Sequence, residues 1–328
     1  MRGRIPGLCA AVVLCALAWA SPCPGASTKE NGGHFRIRPG EDAPQDTPAA
    51  PGTVTVLTDL DPDVMRKVLD FITESTGVPT RLLAYPHDGS VGEPGRGFDL
   101  FMGSCVQPRR FAVRSFSPES WEELPGRASG GVFRWAWWRS TLVLNEVLTG
   151  PGGTEDELVG AVTAVHPEKD RLTAAVLYTL YREYGPGVLE RLHGMIPRYA
   201  SSREQVVSWV ESGRYPGAYT VDAYFNASVR RGHPLRFDHG ALDTGEHPRT
   251  SVAGENIAFI SAASASMEEA ELVAGFLASP SFQEFVRAFF NTAPPSHGTL
   301  PLRVEEGWLP GLLEAWGRLP LSGVRDWE

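Results

Sequence analysis

Cysteine is scarce in this chain, with four residues among 328, and no two of them form a C-x-x-C pair. Cys9 and Cys15 lie in an apolar N-terminal segment, so at most Cys23 and Cys105 remain in a processed chain. Two distant cysteines exclude a small protein held by several disulfides, and they leave open whether the two pair. The sequence also lacks the G-x-S-x-G, H-E-x-x-H and P-loop motifs, so it offers no positioned nucleophile and predicts no enzyme.

Basic residues are the second shortage, because 30 Lys and Arg stand against 39 Asp and Glu, a formal charge of −9. Without residues 1–26, which contain Arg2 and Arg4, the count becomes 28 against 39, a formal charge of −11. This excess of negative charge argues against nucleic acid or an anionic membrane as partner. It does not exclude an anionic ligand, since a pocket can be locally positive.

Long apolar runs are missing too. Leu8–Ala20 is the longest, which is too short to cross a bilayer, and it follows two arginines. Residues 1–26 are therefore predicted to be a secretory signal peptide. Residues 27–52 are rich in Pro, Gly, Ser, Thr and charge, and predict a disordered linker. We expect an exported, soluble chain with no membrane insertion.

What remains alternates between strand-like and helix-like segments, the pattern of an α/β fold. Asp61 followed by Pro62 predicts the start of the first helix, and Gly77 predicts its end. The predicted strands are 53–57, 80–85, 98–102, 132–144, 158–165, 217–221, a strand from about 234, and 256–261. The predicted helices are 61–77, 117–124, 172–184, 188–193, 201–213, 222–231, 267–278, 280–290 and 309–316.

Polar residues that follow predicted strands are the first candidates for a binding site, because ligands of open α/β sheets collect past the carboxyl ends of strands. Thr58 and Asp59 follow the first strand, and Ser104 follows the third. Asp222 and Tyr224 follow the strand over 217–221. Other readings stay open: Thr58 and Asp59 could form a simple turn, and Asp222 could cap the helix that it begins.

Five segments, in this order, carry a resemblance to a known family. They are TVTVLTDLDPDVMRKVLDFITESTGV, FDLFMGS, WAWWRSTLVLNEVL, VESGRYPGAYTVDAYFNASVRRGHPL and ELVAGFLASPSFQEFV. Together they resemble the type II periplasmic solute-binding proteins of the ferric-ion-binding branch, which are receptors for bacterial ABC importers. The resemblance implies two α/β lobes joined by a strand hinge, with ligand in the cleft between them.

The same resemblance implies where the lobes and the site lie. Lobe one is expected at 53–145 plus 256–300, lobe two at 146–255, and a C-terminal tail with a short helix at 301–328. The ferric branch has adjacent tyrosines where this chain has Ala223-Tyr224, and Ser104 stands where a glutamate is common. Because too few hard ligands remain, no metal and no cofactor is predicted. Asp61 is interpreted as a helix cap rather than as a ligand.

An anion is the better match to the expected cleft. Lys169 lies in the segment Glu168–Arg171, which resembles the family's anion-binding loop at a helix start. Arg139 could bind an oxyanion through two N–H groups, and Ser201 could donate its hydroxyl. Alternatively, Lys169 belongs to a solvated face, and Ser201 forms a capping box with Glu204.

These features predict a periplasmic, monomeric solute-binding protein for an oxyanion or an anion-chelated metal, working with an ABC permease of the inner membrane. A secreted ligand sensor or scaffold of the same fold is the alternative, followed by a secreted enzyme.

Overall fold

The computed structural model describes residues 50–85, 97–104, 121, 127–150, 160–239, 251–292, 294, 299–305 and 307–319. The predicted signal peptide, nearly all of the predicted linker, and both Cys23 and Cys105 lie outside the described residues. The same holds for the predicted helix at 117–124, apart from Trp121.

Eleven strands and nine α-helices are described. The strands are β1 Val54–Thr58, β2 Thr80–Ala84, β3 Leu100–Gly103, β4 Ala128–Ser129, β5 Val132–Asn145, β6 Val162–Val165, β7 Arg198–Ala200, β8 Gly217–Val221, β9 Leu235–Asp238, β10 Ser251–Ile260 and β11 Thr299–Pro301. The helices are α1 Pro62–Thr76, α2 Glu146–Thr149, α3 Arg171–Tyr184, α4 Pro186–Met195, α5 Arg203–Glu211, α6 Asn226–Arg230, α7 Met267–Phe276, α8 Pro280–Val286 and α9 Trp308–Gly317.

Helix α1 begins and ends where its sequence predicts. Asp61 Oδ1 accepts hydrogen bonds from the N–H groups of Asp63 (2.8 Å) and Val64 (3.1 Å). Gly77 ends the helix with φ of 73°, a conformation that glycine adopts without a Cβ clash. The inward stripe of Met65, Val68 and Ile72 is fully buried in the lobe core.

The prediction of one continuous helix at 222–231 is wrong. A 3₁₀ turn over Asp222–Tyr224 comes first, and α6 follows it. The carboxylate of Asp222 does not cap a helix, because it bonds to the hinge and to Asn291 instead.

Two further predictions are corrected. Ser202, not Ser201, caps α5, and its hydroxyl accepts from the N–H of Gln205 at 3.2 Å. Strand β10 begins at Ser251, ahead of the predicted strand at 256–261, because its first residues pair with β11.

Two groups of strands share the long strand β5. In the first group, β1 pairs in parallel with β2 and β3, and β10 runs antiparallel to β3 and β5. In the second group, β6 lies parallel to β7 and β8, and β8 lies antiparallel to β5. Strand β5 pairs with β10 up to Arg139 and with β8 from Ser140. This is the predicted two-lobed α/β fold with a strand hinge, while the residue bounds of the lobes stay a prediction.

Separate hydrophobic cores support the two lobes. The first packs α1, α7 and α8 against the sheet, and the second packs α3, α4 and α9. Burying one large apolar side chain in either core contributes about 1.5–3 kcal/mol to the free energy of folding. Trp135, Trp137 and Trp138 of β5 are all buried. Within the described part of the chain, no helix is both apolar enough and long enough to cross a membrane.

Helix α9 lies in the core of the second lobe. Its Trp308, Leu312 and Trp316 pack there, with Trp308 against Tyr178 of α3 at 5.6 Å between ring centroids. The strand that precedes it, β11, pairs with β10. The chain therefore crosses between the strand groups a third time before α9.

Candidate functional site in the interlobe cleft

The carboxyl ends of the parallel strands from both lobes face one cleft, as in other open α/β sheets. Thr58 and the residues after it leave β1, and Ser104 leaves β3. From the second lobe come the start of α3, the start of α5 and the turn Asp222–Tyr224. Most of the predicted site residues lie in these segments.

Arg203 joins the two lobes. Its Nε and Nη2 donate to Asp170 Oδ1 at 2.9 and 2.5 Å, within the second lobe. Its Nη1 lies 3.2 Å from Oδ2 of Asp61, the residue that caps α1 in the first lobe. The Tyr224 hydroxyl donates to Asp170 Oδ2 at 2.7 Å, and the guanidinium lies over the Tyr224 ring at 4.6 Å. We call Asp61, Asp170, Arg203 and Tyr224 the interlobe clasp.

The clasp is a largely buried network of two carboxylates, one guanidinium and one phenol. Burial opposes ionisation of Asp170, but the charge of Arg203 and hydrogen bonds from Thr173, Arg203 and Tyr224 lower its pKa below the usual value. Burial likewise opposes the charge of Arg203, and the neighbouring Asp170, Tyr224 and Asp61 raise its pKa. Burial and the adjacent carboxylate raise the pKa of Tyr224. The phenol therefore stays neutral and donates a hydrogen bond to the carboxylate.

Asp222 makes a second link between the lobes. Its Oδ1 accepts from the backbone N–H of Arg139 in the hinge strand at 3.0 Å, and its Oδ2 accepts from Asn291 Nδ2 at 2.7 Å. Burial raises the pKa of Asp222 to about 6, although these hydrogen bonds oppose the shift. Asn226 Nδ2 adds a bond to the carbonyl of Phe289 at 3.1 Å.

Thr58, Asp59 and Ser104 are brought together beside the first lobe's strand ends. Thr58 Oγ1 accepts from the N–H of Leu60 at 3.1 Å, which is the turn that the sequence left open. Asp59 Oδ1 accepts from the N–H of Ser104 at 2.7 Å. The Ser104 hydroxyl accepts from Trp138 Nε1 at 2.6 Å and donates to the Glu255 carbonyl at 3.2 Å. These polar atoms therefore already have hydrogen-bond partners within the protein.

Lys169 and Ser201 are exposed and take no part in the clasp. Both the N–H (2.7 Å) and the hydroxyl (3.1 Å) of Ser201 bond to Gln205 Oε1. Tyr224 lies in the clasp, and Arg139 meets Asp222 through its backbone. The ligand-binding roles assigned to these residues from the sequence stay predictions.

A groove of about 340 Å³ opens beside the clasp, between α1 of the first lobe and α5 and α6 of the second. Asp61, Arg203 and Tyr224 form part of its wall. The rest of the lining mixes apolar with charged side chains, among them Leu60, Val64, Phe289, Phe290, Lys67, Glu204, Glu211 and Arg231. A larger cavity of about 780 Å³ borders β10 and the segment 299–305. We favour the smaller groove because it lies between the lobes beside the strand ends.

Arg171, the last residue of the segment that resembles an anion-binding loop, is buried between two aromatic rings in the structure. It is the first residue of α3 and only 8 % exposed. Its guanidinium carbon lies 4.8 Å from the ring centroid of Tyr85, at the end of β2, and 5.5 Å from that of Trp308. Its Nε and Nη1 have no hydrogen-bond partner among the described residues. The residues next to Arg171 in the sequence do not indicate this environment, because both aromatic rings come from distant parts of the chain.

Three carboxylates could be considered for a metal. Oxygen atoms of Asp61, Asp63 and Glu204 lie within 4.8 Å of one another. However, Asp61 already pairs with Arg203, and Asp63 pairs with Arg66. Because two of the three carboxylates already pair with cations, no metal is assigned to them.

Comparison with known proteins rests on structure. No protein-family model matches the chain, and no curated protein matches it. A substrate-binding protein of an ABC transporter from Agrobacterium tumefaciens superposes with a TM-score of 0.62 at 14 % identity, covering 84 % of this chain and 95 % of that one. The periplasmic binding protein AfuA from Actinobacillus pleuropneumoniae, with fructose-6-phosphate bound, gives 0.57 at 11 % identity, covering 82 % and 98 %.

Iron-bound HitA from Pseudomonas aeruginosa gives a TM-score of 0.56 at 14 % identity, covering 81 % of this chain and 98 % of that one. At such low identities these likenesses concern the fold. They confirm the two-lobed periplasmic-binding-protein fold and, at that level, the resemblance seen in the sequence.

Proposed function

We propose that this protein is an extracytoplasmic solute-binding protein, which captures a small ligand in the interlobe cleft for an ABC importer. The observation that carries the proposal is the groove walled by both lobes, at the strand ends of a hinged α/β fold. A ligand in such a groove contacts both lobes, so its binding favours the closed form. Binding and closure, rather than bond breaking, constitute the mechanism.

We further propose that the ligand is an oxyanion or an anion-chelated metal. Arg171 does not line the 340 Å³ groove, although its neighbour Leu172 does. It supports an anion because its buried guanidinium, which contacts Tyr85 and Trp308, has two nitrogens, Nε and Nη1, without hydrogen-bond partners among the described residues at the start of α3. A buried charge is costly unless an opposite charge or hydrogen bonds compensate it. AfuA binds a sugar phosphate and HitA binds iron on the same fold, so the fold accommodates a phosphate ester and a metal.

The remaining parts of the proposal follow from export and from the fold. A chain with a signal peptide works outside the cytoplasm, here in the periplasm. The importer would supply an ABC permease in the inner membrane, and we expect the receptor to be a monomer. Neither a resident cofactor nor a nucleic-acid partner is part of this function.

Thermal unfolding with a ligand panel tests the proposal. Phosphates, phosphonates, carboxylates and ferric salts are added singly, and a receptor should show a strong rise in Tm with one class. Native mass spectrometry of freshly exported protein should weigh a copurified ligand of that class. Turnover of a substrate panel without any stabilisation would contradict a receptor.

A non-transport sensor or scaffold of the same fold is the second candidate, and the clasp favours it. Arg203 already links Asp61 to Asp170, so the lobes are joined without a solute. A chain that no panel member stabilises, and that carries no copurified ligand, would support this candidate.

A further inference from the structure

The clasp has the composition of a ligand site, but its occupant belongs to the chain. Asp61 offers a carboxylate from the first lobe, and Asp170 offers one from the second. Tyr224 adds an aromatic face and a hydroxyl. Two carboxylates and an aromatic ring are the groups that recognise a guanidinium by ion pairing, paired N–H donation and cation–π contact.

Arg203 fills this cage well. Its side chain is 15 % exposed, and that of Asp170 is 1 % exposed. Nε, Nη1 and Nη2 each meet a carboxylate oxygen, and Asp170 has both oxygens engaged, Oδ1 by Arg203 and Oδ2 by Tyr224 and Thr173. A buried charge network with every member satisfied holds one arrangement, whereas removal of one member leaves the others unpaired.

The two oxygens of Asp61 have different roles. Oδ1 caps α1 through the N–H groups of Asp63 and Val64, while Oδ2 meets Arg203. The capping oxygen fixes the carboxylate on the first lobe. The other oxygen then connects that lobe to a guanidinium held rigidly by the second.

We propose that Asp61, Asp170 and Tyr224 form a guanidinium-binding site that Arg203 fills as an internal ligand, which keeps the two lobes closed in the absence of solute. The inference goes beyond solute capture, because it concerns the solute-free protein. A solute that enters the groove meets lobes that are already joined. The clasp alone then holds the lobes closed. A solute either strengthens this closed form or has to displace Arg203.

The decisive variant is Asp61→Asn. Asparagine still caps a helix through its side-chain oxygen, so α1 is retained. Its amide group offers donors, not an acceptor, to Arg203, so the interlobe arm is lost while the pair with Asp170 stays. The matched control is Asp63→Asn, which removes an exposed carboxylate two residues away that pairs with Arg66 inside α1.

Small-angle X-ray scattering is measured on the full chain after unfolding and refolding, which removes copurified solute. Wild type and Asp63→Asn should be equally compact, and Asp61→Asn should have the larger radius of gyration. An Asp61→Asn variant as compact as wild type would overturn the proposal. Because no solute is present, this result does not depend on whether the ligand panel finds a solute.

Chemical rescue tests the site from the other side. Arg203→Ala should be expanded and should melt at a lower temperature, since Asp170 is left buried without its cation. Added guanidinium or methylguanidinium, at concentrations far below denaturing ones, should restore both compactness and Tm. Urea, the neutral analogue, and sodium chloride should not. Equal responses to guanidinium and sodium chloride would contradict a guanidinium site.

Discussion

Asn291 of the first lobe donates a hydrogen bond of 2.7 Å to Asp222 of the second, whose other oxygen binds the hinge N–H of Arg139. A buried carboxylate with a raised pKa makes the stability of the folded protein sensitive to pH. Burial raises the pKa of Asp222 from 3.8 to about 6, so the folded protein holds this proton more tightly than the unfolded chain.

The first prediction concerns the pH dependence of stability. Because the folded pKa of Asp222 is raised, its stabilising contribution is complete below pH 3.8 and is lost as pH rises through about 6. The shift corresponds to on the order of 3 kcal/mol. Urea unfolding is measured for wild type and Asp222→Asn between pH 4 and 7.5. As pH rises across this window, the free energy of unfolding of wild type should fall relative to that of Asp222→Asn. The exposed control Asp70→Asn should run parallel to wild type, and an equally parallel Asp222→Asn would refute the assignment.

The second prediction concerns the hydroxyl of Tyr224. Tyr224→Phe removes the donor to Asp170 Oδ2 while keeping the ring under Arg203. A hydrogen bond to a charged group is worth about 1.5–3 kcal/mol, so the free energy of unfolding at pH 7 should fall by that amount. In Tyr215→Phe the lost hydroxyl has no hydrogen-bond partner among the described residues, and stability should change little. Equal effects of the two substitutions would mean that the bond to Asp170 contributes nothing.

A third prediction concerns Gly254 of β10, which pairs with Trp138 of the hinge strand. A Cβ at this position would lie 2.2 Å from Trp138, whose indole N–H bonds to Ser104. Gly254→Ala should therefore destabilise the protein by about 1–3 kcal/mol through overpacking, seen as a lower Tm. Gly194 in α4 has open space around its Cβ position, so Gly194→Ala should be neutral or slightly stabilising. An unchanged Tm of Gly254→Ala would contradict the prediction, and it would mean that the strands shift away from the new methyl group.

The fourth prediction concerns Arg171 as the receptor for an anion. Phosphate or sulfate should raise the Tm of wild type, and Arg171→Met should abolish the rise, because the orphaned N–H groups are gone. Without added anion, Arg171→Met should change stability little, since loss of the buried charge and its unpaired N–H groups offsets loss of the cation–π contacts with Tyr85 and Trp308. Lys169→Gln, which removes an exposed cation nearby, should keep the rise. A purely structural Arg171 would instead give a destabilised variant with an unchanged anion response.

Local signals in the sequence were enough for much of the fold. Asp61 and Gly77 mark the ends of α1 because capping involves residues only a few positions away. The β-branched and aromatic run of β5 predicted a long strand or a strand pair, and the structure forms one strand. Segments in a family-like order predicted two lobes, and the structural comparisons confirm that fold.

The roles of individual polar residues depended on contacts across the chain. Asp222 was predicted to cap a helix or bind ligand, and Asn291 gave it another partner. Short strands such as β7 and β11 escaped notice because few residues carry their signal.

The sequence alone determined where α1 begins and ends, that the stretch of β5 is extended, and the order of strands and helices that makes an α/β fold, because those depend on neighbouring residues and their spacing. Only the tertiary structure decided that Arg203 lies between Asp61 and Asp170, and that Arg171 lies between Tyr85 and Trp308. A buried charge is defined by whatever the folded chain places around it, and that surrounding comes from segments that the sequence keeps far apart.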